Sequence, residues 1–95
     1  NKLRVQITNM RVNIIVYIIK SRFIYKQVGQ RLKQLLNQKG VSQKVVADYL
    51  GVDRSTYTNY EMGTTTMTYV TILMLARYFS VDFNTLLCYD LQTPN

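Results

Sequence analysis

A chain of 95 residues has room for one domain with a modest core and none for a two-domain enzyme. Its 47% hydrophobic and 18% charged content is that of a globular chain. With no histidine and one cysteine, it excludes an intramolecular disulfide, zinc-finger spacing and the usual histidine-dependent acid–base and nucleophile pairs. The formal charge of +7 is unevenly placed: residues 1–44 carry ten basic and no acidic residues, and residues 45–95 carry two basic and five acidic ones. Such a gradient points to a polyanion-facing side.

Residues 1–26 differ from the rest. Leu3, Val5 and Ile7 alternate with Arg4 and Gln6, which is strand periodicity. Thr8 and Asn9 read as a turn, and the segment that follows, RVNIIVYIIKSRFIYK, is dense in β-branched and aromatic residues. A hairpin or one long strand fits this arm better than a helix, although the continuous apolar run leaves a helix open. An isolated hairpin is marginal in water, so the arm is expected to pack on the domain or pair with another chain. The longest unbroken apolar run, Ile14 to Ile19, falls far short of the roughly 20 residues of a membrane helix. Lys20, Ser21, Arg22 and Phe23 follow it in place of a signal-peptide cleavage site, so a cytoplasmic protein is expected.

From Gln27 the pattern turns helical. Val28, Leu32, Leu35 and Leu36 form one stripe, with Arg31, Lys33 and Gln34 off it, and Lys39-Gly40 closes the helix. Ser42 is placed to N-cap a second helix with an inner stripe of Val46, Ala47 and Leu50. Gly51 stands at a sharp turn, where a residue without a Cβ is favoured. Asp53 is placed to cap a third helix, with Thr56, Tyr57 and Tyr60 on one side and Arg54, Ser55, Thr58, Asn59 and Met62 on the other. Together these are a helix-turn-helix, which makes DNA the leading partner.

A threonine-rich loop follows Gly63, and Thr68 is expected to cap a fourth helix over about 69–79. One face of that helix carries Tyr69, Ile72, Leu75, Ala76 and Phe79, and the other carries Val70, Leu73, Met74 and Tyr78. A helix apolar nearly all round is normally covered on both sides, here by the arm or by a twin subunit. A fifth helix directs Phe83, Leu86 and Leu87 inward; Cys88 reads as a small hydrophobic residue near its end, and residues 92–95 as a tail.

The segments VGQRLKQLLNQKGVSQKVVADYLGVDRSTYTNYEMG and ILMLARYFSVDFNTLL resemble the lambda-repressor-like, or XRE, family of helix-turn-helix domains. The most specific part is Gln43, Ala47, Gly51, Tyr57 and Tyr60 at their spacing, with Glu61 and Gly63 behind. The resemblance implies a mainly α, five-helix domain over 27–91, preceded by the strand-like arm at 1–26. It also implies base contacts from Arg54, Ser55, Thr58 and Asn59 on helix three. Gln43 matches the family glutamine that touches the DNA backbone and supports the recognition helix. Ser42 and Lys44 beside it, with Arg31 and Lys33, are the phosphate-contact candidates. Tyr57 is larger than the Ile or Val common in the family, so the core must house a ring and its hydroxyl. The loop Thr64-Thr65-Thr66-Met67 lacks the family's cations and proline, which shifts phosphate binding toward Lys44, Arg31, Lys33 and the arm.

The function this implies is a sequence-specific transcriptional regulator, a repressor, working without cofactor or metal. It would bind double-stranded DNA as a homodimer formed through the arm, helix four or both, with no role for a membrane. The other reading is a protein-interaction module, such as an antitoxin-like accessory protein that keeps the fold. No paired acid–base site is evident among Asp48, Asp53, Glu61, Asp82 and Asp90, so an enzyme is not expected.

Overall fold

The computed structural model describes residues 2–87, and the side chains of residues 11–16 and 19–87. Cys88 and the expected tail at 92–95 lie outside the described residues. Five helices follow in order: α1 (Lys2–Lys39), α2 (Gln43–Leu50), α3 (Arg54–Met62), α4 (Tyr69–Tyr78) and α5 (Phe83–Leu87). The mainly α, five-helix arrangement agrees with the sequence.

The arm does not. The expected strand or hairpin is instead the first half of one 38-residue helix, and no strand occurs among the described residues. Helix wins here for reasons of cooperativity. Residues 27–39 are already helical against the core, so extending the helix toward the N-terminus needs no new nucleus. The β-branched residues cost only tenths of a kcal/mol each relative to better helix formers, and no glycine or proline interrupts residues 2–28. At about 1.5 Å per residue such a helix is about 57 Å long, which accounts for the 58 Å long dimension of the molecule.

The two halves of α1 have different surroundings. In the second half, Val28, Leu32 and Leu36 are buried and Ile24, Tyr25 and Leu35 pack against the core. In the first half, Val12, Ile14, Ile15, Val16 and Ile19 are all exposed. Apolar side chains around so much of a helix normally mark a surface that something covers. No helix among the described residues is long and apolar enough to cross a membrane.

The core is closed by Val46 and Ala47 of α2, Tyr57 and Tyr60 of α3, Met67, Ile72, Leu75 and Ala76 of α4 and its approach, Phe79 and Leu86. Local signals set the helix ends. The Ser42 hydroxyl accepts from the Val45 amide at 3.3 Å, and Thr68 accepts from the Thr71 amide at 3.1 Å. Gly51 ends α2 at φ 75°, in the left-handed region. Asp53 occupies the N-cap position of α3 but makes no side-chain capping hydrogen bond, contrary to expectation. Tyr69 shares a face with the buried Ile72, Leu75 and Ala76 but is not buried with them. It is exposed at the start of α4, with its ring 4.9 Å from that of Phe83.

Two glycines let α1 and the end of α3 meet backbone to backbone. A Cβ on Gly29 would lie 2.3 Å from the Glu61 carbonyl oxygen and 2.5 Å from that of Tyr60. A Cβ on Gly63, which has φ 71°, would lie 2.5 Å from the Lys26 Cα. Neither distance admits a side chain, so the placement of α3 against α1 is fixed by the main chain.

Candidate nucleic-acid interface

The inner face of α3 is an anchor. Tyr57 is fully buried and Tyr60 nearly so, their rings meeting edge to face at 6.4 Å. The room expected for the Tyr57 ring is present, and its hydroxyl is buried beside the Glu61 carboxylate without forming a hydrogen bond of good geometry. Burial, and after it the charge of Glu61, raises the Tyr57 phenol well above its ordinary range. It is therefore a neutral core group at any physiological pH.

A side-chain network ties α2 to both ends of α3. The Gln43 amide nitrogen donates to Glu61 Oε1 at 2.9 Å. Its carbonyl oxygen accepts from Arg54 Nε at 3.3 Å and from the Thr58 hydroxyl at 3.1 Å. The opposite orientation of the amide would set its donors against Arg54 and Thr58 and its acceptor against a carboxylate, so donor and acceptor types fix it. Glu61 is buried, and its Oε2 makes no hydrogen bond of good geometry. Gln43 thus supports the recognition helix with its whole carboxamide, and a contact with DNA backbone would have to share those groups.

The expected base-contact residues divide into two pairs. Ser55 and Asn59 are exposed, and no side-chain hydrogen bond engages either among the described residues. Arg54 is exposed with its Nε on Gln43, which leaves the two terminal nitrogens of the guanidinium for a partner. Thr58 is half-buried, and its one hydroxyl proton is shared between Gln43 and the Arg54 carbonyl at 3.0 Å. The outer face of α3 therefore offers an amide, a hydroxyl and part of a guanidinium, all held on an immobilised helix.

The expected phosphate contacts are more scattered. Ser42 is exposed beside Gln43, with its oxygen engaged as the cap. Lys44 is exposed and paired with Asp48 at 3.1 Å, one turn away on α2, a solvated pair of small energetic weight. Arg31 is turned to the other side of α1, where it donates to the Leu86 carbonyl at 3.4 Å. It packs toward α5, and residue 33, roughly 200° away around the helix, points to a different side. Lys33, by contrast, shares a stripe with Gly29, Lys26 and Arg22, at spacings of four, three and four residues, on the side of α1 that meets α3. The sequence reading did not single out Arg22 and Lys26. The signal that finds them is that same stripe, once residues 2–26 are taken as helix.

No group of three or more metal-ligating side chains is clustered among the described residues. A groove of about 850 Å³ lies between α1 and the loop after α3.

Comparison with known proteins bears on this site. The helix-turn-helix family model matches residues 32–86. The SPbeta prophage-derived uncharacterized HTH-type transcriptional regulator YonR of Bacillus subtilis (strain 168) is 37% identical over 59 residues, 62% of this chain and 55% of that protein. The uncharacterized HTH-type transcriptional regulator YqaE of the same organism is 34% identical over 59 residues, covering 62% and 51%. The chain thus spans about half the length of the curated relatives it matches. Among solved structures, the restriction-modification controller protein C.AhdI from Aeromonas hydrophila superposes with a TM-score of 0.61 at 35% identity, over 65% of this chain and 94% of that one.

Proposed function

Because this chain belongs to the XRE-type helix-turn-helix family, we propose that it is a sequence-specific DNA-binding transcription regulator, a repressor, acting in the cytoplasm. In this reading α3 enters the major groove. Asn59 meets an adenine edge, Arg54 a guanine edge, and Ser55 and Thr58 complete the base contacts. Lys44, Lys33, Gln43 and Ser42 lie on phosphates, and Arg31 is the weakest member of that set because it is engaged with α5. The observation that carries the reading is the polar outer face of α3. Its free side chains, Ser55 and Asn59, stand on a helix anchored by Tyr57 and Tyr60 and tied to α2 through Gln43.

A single module makes few base contacts, and two-fold pairing on a near-palindromic site doubles them. Two apolar surfaces suit a homodimer: Tyr69, Val70 and Leu73 on α4, and the exposed first half of α1. The same exposed half of α1 also favours the second reading, an accessory protein that offers its apolar helix to a protein partner.

A gel shift with random duplex DNA at two salt concentrations separates the two. Binding that weakens steeply with salt supports the regulator. Absent or salt-insensitive binding, together with a protein that co-purifies, supports the interaction module.

A further inference from the structure

We propose that Arg22 and Lys26 of α1, together with the loop Thr64–Thr66, form a clamp for the phosphodiester backbone of the DNA strand that passes the C-terminal end of α3. The inference rests on the DNA-binding reading above and names a contact outside the helix-turn-helix.

Arg22, Lys26, Met62, Thr64, Thr65 and Thr66 line the groove between α1 and the α3–α4 loop. Arg22 and Lys26 are one turn apart on the same side of α1, and both are exposed. The only ion pair among the described residues is that of Lys44 with Asp48, so neither groove cation is neutralised, and no acidic side chain lines the groove. The Thr64 hydroxyl donates to the Asn59 carbonyl at 3.4 Å, and two uncompensated cations beside the hydroxyls of Thr65 and Thr66 and the loop backbone suit an anionic oxygen ligand.

The position of the groove selects a nucleic-acid backbone over other polyanions. Ser55, Asn59 and Met62 run at spacings of four and three residues along the outer face of α3, and Met62, exposed, is itself a wall of the groove. A duplex lying on that outer face therefore continues over Arg22 and Lys26. The close approach of Gly63 to the Lys26 backbone holds this part of α1 against the loop. The loop carries no charge of its own, and the extended helix supplies what it lacks.

The test uses the full chain and a duplex enriched by the wild-type protein from a random pool, with affinity measured by fluorescence anisotropy over a range of salt concentrations. Substituting R22Q/K26Q is expected to reduce the slope of log affinity against log salt by about two, and each single variant by about one, with the enriched sequence unchanged. The charge-keeping pair R22K/K26R should retain the wild-type slope. Lys20→Gln, on the opposite side of α1, should retain it as well. A wild-type slope in R22Q/K26Q, with circular dichroism confirming the fold, overturns the clamp. An equal loss in Lys20→Gln also overturns it, by showing a diffuse charge effect. If the wild-type chain enriches no duplex, the DNA-binding reading fails and the clamp with it, an outcome distinct from the other two.

Discussion

Gln43 and Glu61 lie 18 residues apart in sequence and 2.9 Å apart in space, and the amide nitrogen of Gln43 is the one hydrogen-bond donor to that buried carboxylate among the described residues. Removing it leaves a buried charge with no partner. Gln43→Ala is therefore expected to cost ~1–3 kcal/mol of stability, read as a lower urea midpoint at constant slope. Glu61→Gln keeps an acceptor for Gln43 while removing the charge, and should be neutral or stabilising. A Gln43→Ala midpoint equal to that of wild type would show that water satisfies Glu61 instead.

The glycines of the fold fall into two classes. Gly29→Ala brings a Cβ into the carbonyls of α3, so overpacking of ~1–3 kcal/mol overrides the ~1 kcal/mol that alanine gains in a helix. Gly63→Ala adds a left-handed φ to a similar clash with Lys26. Gly40→Ala has the left-handed φ alone, with nothing within 4 Å of the new Cβ, and should cost ~1–2 kcal/mol. Thermal unfolding of the three variants should place Gly63→Ala lowest. A Gly29→Ala protein more stable than wild type would mean that α1 can move off α3.

These pairs also mark where the sequence was legible. The helix-turn-helix was readable because its signals are local: the Ser42 cap, the Gly51 turn and the Tyr57–Tyr60 spacing each act within a few residues. Residues 1–26 were misread because propensity and alternation are weak terms, whereas continuity with an already packed helix is a cooperative one. Gly29 passed as an unremarkable residue within a helical stripe, since only the arrival of α3 shows why it lacks a Cβ. Arg31 and Lys33 looked equivalent in sequence, and the α5 contact of one and the α3 side of the other separate them.

Tyr57→Phe removes a buried hydroxyl that lies beside Glu61 without a hydrogen bond of good geometry. It should raise stability or leave it unchanged, by up to ~1–2 kcal/mol. The phenol's raised folded-state value also sets a pH dependence. Its stabilisation is fully present below the unfolded-state value of about 10 and is lost as pH rises beyond that. Urea titrations at neutral and alkaline pH should show wild type losing more stability than Tyr57→Phe. Parallel losses would show that this hydroxyl does not drive the alkaline response.

On DNA, Asn59→Ala should cost ~1–3 kcal/mol of binding and relax preference at one base position, with the melting temperature unchanged because its side chain holds nothing within the fold. Lys44→Ala should weaken all sequences alike and lower the salt slope by about one. A binding selection that returns the same preference for Asn59→Ala and wild type removes Asn59 from the base contacts.

The unbroken run of α1 from Lys2 to Lys39 makes it a lever whose fulcrum is Gly29, where it bears directly on the carbonyls that end α3. The exposed side chains of Val12, Ile14, Ile15, Val16 and Ile19 are thereby joined to the helix that carries Ser55 and Asn59 by continuous helix and one main-chain bearing, with no loop between.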